Sequence, residues 1–160
     1  PSGADAPSSG AALPPTRRAV LGSSLSSLLA LRILFEAPDV FGKLVLGSPS
    51  LQLSDEGKGA SLFGLEATCA PAYEPRVRSL GTSALVIMGA REAEAGPGSS
   101  GRLPPKAIAM ADTLRQRGVR CAVELVPNET HTTIKPCLIS RGLGWLEAEW
   151  LVGETESECV

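Results

Sequence analysis

Apolar positions along the chain fall into two kinds of run: short unbroken ones, and longer ones in which apolar residues return every three to four positions. Arg18–Leu21 is a short run that stops at Gly22 and reads as a strand. Leu25–Ala37 follows as a helix, apolar on most of its faces and so expected to pack on more than one side. It ends at Ala37 because Pro38 disfavours the α conformation in the residue before it. Lys43–Leu46 is a second strand, broken by the turn Gly47-Ser48-Pro49-Ser50. Ser83–Gly89, "SALVIMG", is continuous enough to be a strand covered on both faces. Lys106–Arg117 carries Ala107, Met110, Ala111 and Leu114 on one helical face and stops at Gly118. Cys121–Val126 is a fourth strand, and Ile134–Leu151 a last helix.

Between these elements the pattern lapses. Leu51–Leu80 has no sustained period, and a structureless connection of that length is uncommon inside a compact domain; it reads as a cover over a site or a spacer. Residues 1–16 are Pro, Ser, Gly and Ala with a single charge, Asp5, and are expected to form a flexible tail. The domain is expected over residues 17–152, followed by a loose acidic tail over residues 153–160. Strands that alternate with helices argue for an α/β fold, a parallel sheet with flanking helices. In such sheets ligands meet the carboxyl ends of the strands. That rule selects Gly22-Ser23-Ser24, Gly47-Ser48, Gly89–Glu94 and Asn128–His131.

Composition narrows the function classes. A chain of 160 residues suits one domain with a real core. Its net charge of −2 gives no reason to expect nucleic acid or an anionic membrane as partner. Every apolar run is shorter than the roughly 20 residues of a membrane-spanning helix. The first residue is Pro, so the start of the gene product is expected to lie upstream, and a targeting peptide stays an open matter. No location is assigned; the cytoplasm is favoured. Cys69, Cys121, Cys137 and Cys159 are scattered without a C-x-x-C, and with one histidine they form no zinc set, so free or buried thiols are expected, and no metal or cofactor. Gly96–Gly101 lacks the Lys of a phosphate loop. Trp145 and Trp150 on the last helix are read as packing residues, and Glu129 as a surface charge.

Three of the selected loops hold one part each of a hydrolytic machine. Gly22-Ser23-Ser24-Leu25-Ser26 is a strand-to-helix turn with Ser24 in its middle, where a sharp bend lifts the hydroxyl above the sheet. The backbone amide of Leu25, the residue after the nucleophile, is the candidate oxyanion donor. Glu92 follows the third strand, with Glu94 two residues on as its rival for the acid. His131, the only histidine, follows the fourth. Nucleophile, acid and base occur in the chain order of the α/β-hydrolases. The plain alternative is that Ser23, Ser24, Ser26 and Ser27 are a helix-capping cluster, since Ser is a preferred cap.

The stretch "RRAVLGSSLSSLLALRILFEAPDVFGKLVLGSPSL" resembles the nucleophile region of the enterochelin-esterase and esterase-D-like branch of the α/β-hydrolases. That branch has a strand, G-x-S-x-G-G, a helix, P-x-x-F and a strand ending in an SPS-like turn. "VIMGAREAE" is similar to its acid loop, and "ETHTTIKPCLISRGLGWL" to its histidine loop and final helix. The resemblance runs from Arg17 to about Leu151. It implies Ser24 as nucleophile, Glu92 as acid and His131 as base, with a small-molecule ester as substrate. Two departures stand out. Ser26 and Ser27 occupy the positions of the paired glycines, and the strands that precede the nucleophile strand in the branch have no counterpart here, so the C-terminal half of the fold is expected.

Three functions remain. The first is a serine hydrolase of carboxylic esters or thioesters working through an acyl-enzyme. The second is a non-catalytic remnant or fragment, inactive without the preceding strands and able to self-associate through an exposed sheet edge. The third, with least in its favour, is an interaction module using Leu51–Leu80.

Overall fold

The computed structural model describes residues 12–51, 80–94 and 103–157. Four strands, β1 (Ala19–Ser23), β2 (Lys43–Gly47), β3 (Ser83–Gly89) and β4 (Arg120–Val126), form one sheet in the order β1-β2-β3-β4. All three pairings are parallel, and each places the first residues of neighbouring strands side by side: Ala19 with Lys43, Lys43 with Ser83, Ser83 with Arg120. The helices are α1 (Leu25–Glu36), α2 (Leu103–Gln116) and α3 (Lys135–Ser157).

β2 and β3 are buried at every position, as their unbroken apolar runs require. Side chains still alternate between the two faces of the sheet. Leu44, Leu46, Ala84, Val86 and Met88 pack with Ala30, Leu31, Leu34 and Phe35 of α1 and with Ala107, Met110 and Leu114 of α2. Val45, Leu85 and Ile87 face the other way, onto Ile134 and onto Leu138 and Leu146 of α3. The result is three layers: α1 and α2, the sheet, then α3.

Several boundaries differ from the sequence expectation, each for a local reason. β1 runs two residues past Leu21, because Gly22 and Ser23 keep their register with Leu46 and Gly47. The polar segment after β3 starts with a 3-10 turn, Ala90–Glu94. α2 begins at Leu103, three residues before Lys106; Pro104 and Pro105 sit in its first turn, where a missing N–H costs no helical bond. α3 continues to Ser157, so much of the expected loose tail is helical. At the other end, Pro15–Arg17 is a 3-10 turn that docks on the sheet rather than part of a tail: Pro15 O accepts from Gly42 N at 2.7 Å, and Thr16 O accepts from Trp150 Nε1 at 3.1 Å. The long connection Leu51–Leu80 lies outside the described residues except for its two ends, as do residues 1–11 and 158–160.

The amino ends of the strands are fastened by charge. Glu149 of α3 accepts from Lys43 Nζ at 2.9 Å, Ser83 Oγ at 2.8 Å and Arg120 Nη2 at 2.8 Å. Burial alone would raise the Glu149 pKa; the hydrogen bonds from Lys43 and Ser83 and the charges of Lys43 and Arg120 outweigh it and hold the carboxyl below its usual value. A cavity of about 180 Å³ opens at this end, lined by Ser83, Arg120, Trp145 and Glu149 among others. Trp145 and Trp150 pack against the cluster that α3 forms with the sheet.

α1 does not pack on more than one side among the described residues. Leu25 and Leu29, one turn apart, are 63% and 59% exposed. β1 beside them has one neighbouring strand among the described elements, and Leu21 in it is 41% exposed.

Candidate active site

The carboxyl ends of the strands carry the candidate residues. Ser24 occupies the single position between the end of β1 and the start of α1, with φ 57° and ψ −118°. Few L-residues adopt that backbone conformation, which is strained and persists only where its surroundings enforce it. Here the enforcement is visible. Ser24 N donates to Gly47 O at 2.7 Å, and Ser24 O accepts from Ser27 N at 3.2 Å and Ser50 N at 3.3 Å.

The turn is tight enough to need Gly22. A Cβ there would come within 2.5 Å of Ser26 O and 2.7 Å of Ser27 N. One turn on, the two serines that stand where the resembled branch has glycines are fully used. Ser26 Oγ donates to Ser23 O at 2.8 Å and accepts from Ser23 N at 2.7 Å. Ser27, fully buried, directs its hydroxyl at Gly22 O (3.0 Å) and Gly47 O (3.1 Å), bridging the ends of β1 and β2. The added side chains thus brace the bend instead of blocking it.

Glu92 lies in the 3-10 turn after β3 and is 1% exposed. A buried carboxylate needs donors, and it has three. Oε1 accepts from Ser48 Oγ at 2.5 Å and from Gly89 N at 3.0 Å. Oε2 meets His131 Nδ1 at 3.0 Å. Glu94 instead is exposed and pairs with Arg91 at 3.3 Å.

His131 stands in the turn between β4 and α3, about one third exposed. The loop that carries it approaches the end of β3 so closely that a Cβ on Gly89 would collide with Glu129 O, which accepts from Arg91 N at 3.0 Å. Glu129 is half-buried there rather than a free surface charge, and its carboxylate also accepts from Cys137 Sγ at 3.7 Å. His131 Nε2 lies 3.0 Å from Ser24 Oγ.

The fold therefore brings together Ser24, His131 and Glu92 from three loops, in a chain of two 3.0 Å contacts, and leaves Ser23, Ser26 and Glu94 outside it. Leu25 N is the first amide of α1, with no carbonyl one turn earlier to accept it. The strand-end rule selects Gly47-Ser48 but assigns Ser48 no role, and it does not reach Ser50. Ser50, 5% exposed, places its hydroxyl 2.8 Å from Ser24 Oγ. Their signal was the "SPS" turn itself, at the carboxyl end of a buried strand. Ser48 adopts a left-handed φ of 40°, unusual for a serine.

Among the described residues no group of three His, Cys, Asp or Glu could hold a metal ion, and no helix is long and apolar enough to cross a membrane. Cys121 and Cys137 are free thiols, and burial pushes the Cys121 pKa up to about 11; Cys69 and Cys159 lie outside the described residues.

No family model matches the sequence, and no curated protein matches it either. Solved structures do match. The siderophore hydrolase EstA from Aspergillus nidulans superposes with a TM-score of 0.59 at 18% identity, covering 81% of this chain and 48% of its own. The BES protein from Bacillus cereus gives 0.61 at 21% identity, covering 80% and 44%. The siderophore hydrolase EstB from Aspergillus nidulans gives 0.57 at 19% identity, covering 81% and 48%. The chain spans about half the length of each of these structures. Over that span, with its parallel sheet, flanking helices and loop order, it has the α/β-hydrolase fold.

Proposed function

We propose that the chain carries the catalytic residues of a serine hydrolase that cleaves a carboxylic ester or thioester of a small molecule through an acyl-enzyme. One observation carries this reading: Ser24, held at a strained turn above the sheet, meets His131 Nε2 at 3.0 Å, while a buried Glu92 meets Nδ1 of the same ring at 3.0 Å. A capping serine needs neither the strain nor the two partners. Two of the matched structures are named siderophore hydrolases, which agrees with a small-molecule substrate.

In this reading Ser24 Oγ attacks the acyl carbon while His131 Nε2 takes its proton. The carbonyl oxygen becomes an oxyanion, with the Leu25 amide as a donor to it. Glu92 holds the Nδ1 proton and stabilises the imidazolium, and is itself kept in place by Ser48 and Gly89 N. His131 returns the proton to the departing alcohol or thiol, leaving the acyl group on Ser24. Water, deprotonated by the same nitrogen, then releases the acid.

A fluorophosphonate probe tests this, because it phosphonylates only an activated serine. Labelling at Ser24, abolished in Ser24→Ala, supports the reading; an unlabelled protein overturns it.

The open side of β1 favours a second reading, in which the triad is assembled yet idle in this chain alone. β1 lacks a second neighbouring strand among the described elements, and Leu21, Leu25 and Leu29 lie exposed beside the nucleophile.

A further inference from the structure

We propose that Ser50 is a further catalytic residue of this site, whose hydroxyl donates a hydrogen bond to Ser24 Oγ and stabilises that oxygen whenever it carries negative charge. The inference rests on the hydrolase reading above and follows from counting protons.

Glu92 Oε1 accepts from Ser48 Oγ and Gly89 N, so this carboxylate acts as an acceptor. Its other oxygen faces His131 Nδ1 at 3.0 Å, and that nitrogen must supply the proton of the contact. In a neutral imidazole Nε2 is then bare, and at 3.0 Å it accepts the hydroxyl proton of Ser24. Ser24 has no other proton to give. The 2.8 Å contact between Ser24 Oγ and Ser50 Oγ can therefore be made only with the proton of Ser50.

The direction matters chemically. When Ser24 loses its proton to His131, a donor already aimed at its oxygen stabilises the developing alkoxide. When the second tetrahedral intermediate collapses, the bond between Ser24 Oγ and the acyl carbon breaks and charge returns to the same atom; Ser50 again faces it while His131 Nε2 delivers the proton. Ser50 exchanges no proton in either step. It is suited to this because it is 5% exposed, and because its backbone N–H also holds Ser24 O at 3.3 Å, so the two hydroxyls are kept in register by the backbone. A hydrogen bond to an ionised oxygen is roughly twice as strong as one between neutral groups, so Ser50 favours the charged states over the resting one.

The test compares rates of fluorophosphonate labelling at Ser24, mapped by mass spectrometry, in the wild-type protein and in Ser50→Ala, Ser50→Thr and Ser50→Cys. Ser50→Ala is expected to slow labelling about 10- to 100-fold. Ser50→Thr, which keeps the hydroxyl, should recover most of the rate, a rescue that a merely structural role would not give. Ser50→Cys keeps the shape with a poor donor and should be slowed like the alanine variant, which keeps the test intact if Ser50→Ala does not fold. A labelled wild type with Ser50→Ala or Ser50→Cys reacting within twofold of it would overturn this inference alone. An unlabelled wild type would overturn the hydrolase reading and this inference with it.

Discussion

Ser48 Oγ donates a 2.5 Å hydrogen bond to Glu92 Oε1, so that one oxygen of the buried carboxylate is held from β2 while the other is left for His131. Ser48 follows β2 and Glu92 follows β3, and the pairing of those two strands is what brings them together. Without Ser48 the carboxylate keeps Gly89 N on that oxygen and gains a rotational freedom it does not have now. Ser48→Ala is expected to lower hydrolytic activity about tenfold and stability by about 1.5–3 kcal/mol, the range for a hydrogen bond to a charged group. Rate measurements and denaturant titration of the variant check both.

The three candidate catalytic residues should behave as a unit. Ser24→Ala and His131→Ala are each expected to remove nearly all activity, and the double variant to cost little more than either alone. Ser23→Ala and Ser26→Ala should retain much of it. Glu92→Gln should cost far more than Glu94→Gln, because Glu94 is exposed and pairs, among the described residues, with exposed Arg91. Steady-state kinetics on a chromogenic ester separates these outcomes; a larger loss from Glu94→Gln would move the acid by two residues.

Gly89→Ala tests how closely the histidine loop must approach. A methyl group there would meet the backbone at Glu129 O, and neither strand nor loop can yield by rotating a side chain. The expected cost is about 1–3 kcal/mol, as for an overpacked core, with a fall in activity out of proportion to it because His131 moves with the loop. Gly81→Ala meets nothing within 4 Å but has a φ of 59°, so it should cost stability through the backbone alone and leave activity unchanged. Melting curves beside rates distinguish the two.

Glu149 gives the protein an acid-sensitive fastening. Its folded-state pKa lies below the usual carboxylate value, so its contribution to stability is full above the unfolded-state pKa, about 4.3, and is lost as pH falls through the lower folded value. Denaturation midpoints should drop between pH 5 and 3, and less steeply in Glu149→Gln. At neutral pH Glu149→Ala should destabilise by about 3 kcal/mol, because Lys43, whose side chain is 6% exposed, would be left unpaired.

Among the described elements β1 pairs on one side, with β2, and its other edge, beside exposed Leu21, Leu25 and Leu29, is of the kind that pairs with other chains. Sedimentation is expected to find concentration-dependent self-association that Leu25→Glu with Leu29→Lys weakens. A monodisperse monomer at all concentrations would remove this expectation.

Much of the fold was legible because β2 and β3 are buried on both faces and so read as unbroken apolar runs. β1 was harder: Gly22 and Ser23 look like the turn, yet pairing with Leu46 and Gly47 keeps them extended. Pro104-Pro105 precede the helix start expected at Lys106 yet lie in the helix's first turn, which has no use for those N–H groups. The loops holding Ser24, Glu92 and His131 could be located from the rule that sites follow strands. The contact between residues 107 positions apart could not, because it depends on parallel register across the sheet. The partners of Ser48 and Ser50 stayed hidden for the same reason: a hydroxyl in a turn has no local mark that says which side chain it will face.

Both tryptophans of the chain, Trp145 and Trp150, sit on α3, and the indole of Trp150 is tied to Thr16 O before β1. The helix that begins just after His131 therefore carries its own optical reporters at the far end of the sheet. Their emission follows the seating of α3 and is blind to the chemistry at Ser24. A variant that loses activity with unchanged emission has altered the reaction; one that shifts the emission has loosened the scaffold.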